Sequence, residues 1–273
     1  MRRTAPTPSL AAAIAPFAAA GLLLTGCDWS STPAGTSPGS SALTSGPASL
    51  SGTVNVFAAA SLKEAFTKLG RQFETAHPGV KVVFNFGPSS GLATQIGQGA
   101  PADVFASASP KNMGMVVSAG LTASSTDFAS NVMQIAVPPD NPAKVTQLSD
   151  LARPAVKVAL CQEAVPCGVT AAKVFTKARL TVNPASQELD VKAVLTKVTL
   201  GEVDAGVVYV TDVRAAGAKV KGIDIPGGVN ASTRYPIATL TKAPNKATAR
   251  AFTDYVLSAD GAGVLTAAAF ARP

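Results

Sequence analysis

Histidine is nearly absent from this chain. His77 is the single one among 273 residues, and only three cysteines accompany it. So few imidazoles and thiols leave too little material for a metal held directly by side chains. They also restrict a histidine base to one position. Charge is sparse too: 14% of residues are charged and 5% aromatic. The 23 Lys and Arg outnumber the 16 Asp and Glu, for a net charge of +7, but they stand singly with few aromatics between them. Without a basic run that excess reads as solvated surface and argues against nucleic-acid binding. Apolar residues, in contrast, make up 47% of the chain, enough to bury the core of one or two domains.

Arg2 and Arg3 precede an apolar stretch over residues 10–24, which ends in "LLLTGC" at Cys27. This resembles a bacterial lipoprotein signal, in which residues 1–26 are cut away and the Cys27 thiol is lipidated. The alternative is an ordinary secretory leader with an incidental cysteine, because Gly26 also suits plain cleavage. Residues 27–52 are rich in Ser, Gly, Pro and Thr and are read as a flexible tether. Export makes a disulfide between Cys161 and Cys167 the first reading of "CQEAVPCG", with two buried free thiols as the alternative. A nucleophilic Cys167 has no base close in sequence, since His77 sits far away in an "HPG" turn.

Beyond the tether, strand and helix patterns alternate. Val54, Val56 and Phe57 form a short apolar run, Leu62, Ala65, Phe66, Leu69 and Phe73 follow at helical spacing, and "VKVVFNF" returns as a strand. Strands are further predicted at "ADVFASA", "NVMQIAVP", "VKVAL", "AGVVYV" and "RYPIATL". Helices are predicted at "GLATQIGQG", "VTAAKVFTKA", "VKAVLTKV" and in two segments at the carboxy terminus. Continuous apolar strands between helices predict an α/β fold with largely parallel sheets.

Such sheets bind ligands where strands end and helices start. In "VFAAASLKEAF", Ser61 and Glu64 fit a capping box, which makes Ser61 the helix cap. A helix start also offers unpaired N–H groups to an anion, and alanines at 58–60 let a ligand come close to the backbone. "FNFGPSSGLATQI" repeats the design about thirty residues on. Gly87, Ser89 and Gly91 there match G-x-S-x-G, so an exported serine hydrolase using Ser89 is an alternative. That chemistry needs a histidine after the serine, and the only one precedes it.

Taken in order, "VFAAASLKEAF", "SSGLATQI", "GAPADVFASA", "VPCGVTAAKVF" and "AGVVYVTDV" resemble the periplasmic molybdate-binding proteins, the ModA-like branch of the type II solute receptors of ABC transporters. The resemblance spans about residues 53–273. It implies a two-lobe fold with two hinge crossovers, near 131–134 and 232–236. Residues 53–132 and 235–273 would form lobe I and residues 133–234 lobe II. It implies an oxyanion held by Ser61 and Ser89 through hydroxyl and backbone N–H, by the N–H groups of Cys167 and Val191, and by the phenol of Tyr209. Pro88 departs from the pattern by having no N–H to give.

The implied ligand is molybdate or tungstate, bound through hydrogen bonds with no directly coordinated metal and no cofactor. Sulfate or another tetrahedral oxyanion is the alternative within this class. The implied partners are an ABC transporter permease and, through the lipid, the extracytoplasmic face of the cell membrane. A monomer without enzymatic activity is expected.

Overall fold

The structure is a computed structural model that describes residues 49–273. The leader, Cys27 and most of the tether lie outside the described residues. Leu50 and Gly52, read above as the tether's end, already belong to the fold. Leu50 packs on the first core, and β1 (Gly52–Ala59) begins at Gly52.

A 3-10 turn (Ala60–Leu62) leads from β1 into α1 (Lys63–Ala76). The buried face of α1 is Ala65, Phe66, Leu69 and Phe73, the spacing that places side chains on one side of a helix. Then come β2 (Val80–Gly87), α2 (Ser89–Gly97), β3 (Val104–Ala106), α3 (Pro110–Ser118) and the long β4 (Thr126–Val137). The middle of the chain supplies β5 (Val158–Cys161), α4 (Pro166–Ala178), β6 (Ser186–Glu188), α5 (Val191–Thr199), β7 (Ala205–Tyr209), α6 (Val210–Ala216) and β8 (Lys221–Asp224). The last elements are β9 (Ser232–Thr239), α7 (Lys246–Leu257) and α8 (Ala259–Ala267).

The strand order is β2-β1-β3-β9-β4-β7-β5-β6, with β8 also paired to β4. Four pairings are parallel and four antiparallel, which corrects the expectation of largely parallel sheets. All four antiparallel pairings involve β4 or β9. Apolar continuity reports that a strand is covered on both faces and says nothing of its direction, so this distinction was not visible in the pattern.

β4 changes partners along its length: Thr126–Val132 pairs with β9, and from Met133 onward it pairs with β7 and β8. The apolar cores divide at the same place. One core draws only on residues from Met133 to Ala231, around Ile135, Val158, Val194 and Val207. A second combines Val54, Phe66, Phe73 and Phe128 with Tyr235, Phe252 and Phe270 from the end of the chain, and a third, around Phe57, Leu92, Phe105 and Met113, is built from the same half. Each half therefore buries its own apolar surface, and β4 and β9 run between the two.

Candidate functional site

The five residues singled out for an oxyanion, Ser61, Ser89, Cys167, Val191 and Tyr209, all line one cavity between the halves. Ala59, Ala60, Gly87, Pro88 and Ala108 complete the wall on one side, and Val165, Pro166 and Asp190 on the other. Its enclosed volume is about 20 Å³, far smaller than the pockets that take drug-sized organic ligands.

Ser61 does not cap α1, contrary to the capping-box expectation. It lies inside the 3-10 turn, and its Oγ is 2.9 Å from the hydroxyl of Tyr235 in β9. Glu64 turns away to meet Lys192 Nζ at 2.7 Å. The three alanines before Ser61 are buried, and their small side chains leave room for the cavity against the backbone.

Ser89 opens α2 directly after Pro88, and the first N–H taken up by the helix is that of Leu92, bonded to Pro88 O at 3.0 Å. The N–H groups of Ser89, Ser90 and Gly91 precede it and have no carbonyl within the helix. Ser89 Oγ accepts the N–H of Ala108 at 2.9 Å, which leaves its own proton to give. A nucleophilic role lacks its base: His77 packs on Phe73 at the amino end of β2, and Ser89 follows the other end. An eight-residue strand separates them by about 25 Å at 3.3 Å per residue.

α4 begins at Pro166, and its first internal bond runs from Val169 N–H to Val165 O at 3.0 Å. Cys167 and Gly168 therefore present N–H groups without helical acceptors. The Cys167 sulfur is bonded to that of Cys161 at 2.03 Å, closing the end of β5 onto the start of α4. The bridge involves the side chain and the anion reading the backbone, so the two assignments to Cys167 are compatible.

At α5, Asp190 sorts the donors. Its Oδ1 accepts from Lys192 N–H at 2.8 Å and Ala193 N–H at 3.0 Å, and its carbonyl accepts from Val194 N–H at 3.3 Å. In the first turn this leaves the N–H of Val191. One oxygen of a carboxylate in the wall of an anion cavity is thereby turned to the helix backbone.

Tyr209 ends β7, is 1% exposed, and its hydroxyl lies near those of Thr170 and Tyr235 but makes no hydrogen bond of ordinary geometry among the described residues. Burial lifts the phenol well above its ordinary range against the smaller opposing pull of the Thr170 and Tyr235 hydroxyls, with Asp212 adding to the rise, so it stays a neutral donor.

Sequence reasoning missed a charged group beside this wall. Lys192 Nζ lies 2.9 Å from Asp212 Oδ1 and reaches Glu64 of the other half. Asp212 is fully buried, and it also accepts the N–H of Tyr209 at 3.1 Å. Burial pushes the Asp212 carboxyl up to about 6 against the opposing pull of Lys192. Lys192 itself is drawn down by burial, but the two carboxylates outweigh this and its pKa is raised. Among the described residues no Lys, Arg or His lines the cavity, so an anion there faces neutral donors and the positive ends of helices from both halves.

Two α/β halves, each with its own core and joined through paired strands, meet across a small cavity ringed by helix starts. That architecture is the two-lobed, type II class of solute receptor. Residues 54–271 match the family described as bacterial extracellular solute-binding protein, and the chain belongs to that family. The role of the family is solute binding, not catalysis, and its description places it outside the cell interior.

The chain is 43% identical to the molybdate-binding protein ModA of Mycobacterium tuberculosis over 229 residues, covering 84% of this chain and 88% of that protein. It is 34% identical to the molybdate-binding protein ModA of Escherichia coli over 220 residues, 75% of this chain and 83% of that one. The periplasmic molybdate-binding protein of Azotobacter vinelandii shares the fold with a TM-score of 0.72 at 21% identity, over 81% of this chain and 99% of that one.

Proposed function

We propose that the protein captures molybdate, with tungstate as a close second ligand, and delivers it to the permease of an ABC transporter. The observation that carries this reading is the Tyr209 hydroxyl, buried and without a partner at the wall of the cavity. A buried hydroxyl left unpaired costs free energy, so a ligand that accepts from it is favoured. The protons of Ser61 and Ser89 and the N–H groups of Cys167 and Val191 border the same space. Molybdate, tungstate and sulfate carry no proton at neutral pH and offer acceptors only. Their charge would be met by helix ends and charge-assisted hydrogen bonds, with no cofactor and no directly coordinated metal.

In this reading residues 53–132 with 235–273 and residues 133–234 move as two lobes about β4 and β9, closing on the anion and opening to release it. The relatives' names add support for the choice of ion. Calorimetric titration with molybdate, tungstate, sulfate and phosphate tests it, and a protein that takes up none of the first three is not an oxyanion receptor. Tyr209→Phe keeps the ring and deletes one charge-assisted bond. Molybdate affinity should fall by about tenfold to a hundredfold, from roughly 1.5 to 3 kcal/mol, while the ligand-free melting temperature holds or rises, because the change removes a buried hydroxyl that the ligand-free protein leaves unpaired. Unchanged affinity would remove Tyr209 from the site.

The proposal includes a monomer tethered to the extracytoplasmic face of the membrane through lipid on Cys27. Cys27→Ser should then move the protein from the membrane fraction to the soluble one with anion binding intact. Unchanged partitioning would reject the anchor.

A further inference from the structure

The starts of α2, α4 and α5 border the cavity, and each is held to the rest of the protein in a different way. At α5 the carboxylate of Asp190 caps the helix and takes the N–H groups of Lys192 and Ala193. At α2 the Ser89 hydroxyl reaches outside the helix and accepts the N–H of Ala108. At α4 no side chain caps the first turn, because the residue before Pro166 is Val165, which has no polar side-chain atom.

A capping side chain accepts from the second or third residue of its helix. In α4 these are Cys167 and Gly168, and neither N–H has a backbone acceptor among the described residues. Capping and anion binding therefore compete for the same donors. The cap at α5 leaves the cavity one N–H, that of Val191, and a cap at α4 would take the N–H that the anion reading assigns to Cys167. An uncapped first turn frays unless something else holds it.

What holds it here is covalent. Cys161 is the last residue of β5, which runs between β7 and β6, and it pairs in register with Glu188. The next N–H, of Gln162, bonds Glu188 O at 2.9 Å. The disulfide joins this fixed strand end to Cys167, the second residue of α4, and both cysteines are buried. The turn between them adds one backbone bond, from Val165 N–H to Gln162 O at 3.2 Å. Sulfur is a weak acceptor, so the bridge restrains the turn without consuming its N–H groups.

We infer that the Cys161–Cys167 bridge stands in for a helix cap, fixing the first turn of α4 while leaving its N–H groups to the anion, so that Cys161 is a positioning residue of the site. The inference rests on the oxyanion-receptor reading above. Its effect is pre-organisation: donors already in place need no ordering when the ligand arrives.

The test removes the bridge and keeps the backbone. Cys161→Ala with Cys167→Ala retains every N–H, and calorimetric titration at a temperature where this variant is folded should show molybdate affinity about fivefold to twentyfold lower. The ligand-free melting temperature should fall too, since the bridge also restricts the unfolded chain. Val145→Ala separates the two effects. Val145 is fully buried in the same half and does not line the cavity, so this variant should melt lower and bind molybdate as the wild type does. Wild-type affinity in the folded alanine pair, or an equal loss of affinity in Val145→Ala, would overturn the inference. If the alanine pair does not fold, Cys161→Val with Cys167→Ala, which refills part of the space, is titrated in its place with the same expected loss. Failure of both to fold makes the bridge a requirement of the fold, and the inference falls. A wild-type protein that binds none of molybdate, tungstate and sulfate sinks the receptor reading and this inference with it, whereas wild-type binding with undiminished affinity in the bridge-free variant sinks only this inference.

Discussion

Replacing Lys192 by methionine is expected to destabilise the ligand-free protein by about 3 to 5 kcal/mol near pH 7.5, the usual cost of removing one partner from a buried ion pair. Asp212 has no exposed surface, and its cationic neighbour is Lys192 at 2.9 Å. The contact to Glu64 contributes little to this loss, since that carboxylate is half exposed. The loss should depend on pH in a stated direction. Burial already holds the Asp212 carboxyl at about 6, above the roughly 3.9 of an unfolded chain, and removing the lysine's pull raises it further. A carboxyl raised on folding binds its proton more tightly in the native state, so native stability falls as pH rises from the unfolded value through the folded one. Lys192→Met should therefore be most damaging above about pH 7 and partly recover near pH 5, where Asp212 is neutral. Urea unfolding at the two pH values measures this, and an equal loss at both would show that Asp212 does not carry the effect. Lys192 follows Val191 in α5 and reaches Glu64 in α1, so molybdate binding should weaken in the same variant.

What the sequence made legible divides along a physical line. Ser61 and Ser89 were readable locally, because each lies at a junction of strand and helix marked by small residues, whereas Cys167, Val191 and Tyr209 came only through the family resemblance. The groups behind them were not readable. Tyr235 lies 174 positions from Ser61, and Lys192 lies 128 from Glu64. No local pattern encodes such partners, and at the level of residue type Tyr235 was one aromatic in a buried strand. The misassigned cap has the same origin: "SLKE" satisfies the local rule for a capping box, and tertiary partners took both of its side chains. Strand direction escaped for a related reason, since a run of covered apolar residues marks a strand without telling which way its neighbour runs.

The alignment of the "VPCG" turn with an anion contact implies a second large effect, at Gly168. Its φ is ordinary, so backbone freedom does not explain the glycine. Space does: a Cβ there would sit 1.9 Å from the carbonyl oxygen of Gln162 and 2.6 Å from its carbon. Both are backbone atoms, which cannot swing aside as a long side chain could. The disulfide joining Cys161 to Cys167 ties together the two segments that would have to separate. Gly168→Ala must therefore displace the first turn of α4, and that turn carries the Cys167 N–H and Pro166 at the cavity wall. Overpacking of this kind costs about 1 to 3 kcal/mol in stability. The effect on function should be larger in proportion. A donor moved by about 1 Å leaves hydrogen-bonding range, and a charge-assisted bond lost is about 1.5 to 3 kcal/mol, so molybdate affinity should drop about tenfold to a hundredfold. Gly97 provides the control: it too lies in a helix, a Cβ there meets nothing within 4 Å, and Gly97→Ala should leave affinity unchanged and stability equal or slightly higher. Wild-type affinity in a folded Gly168→Ala protein would mean that the start of α4 gives the anion nothing, and Cys167 would leave the site.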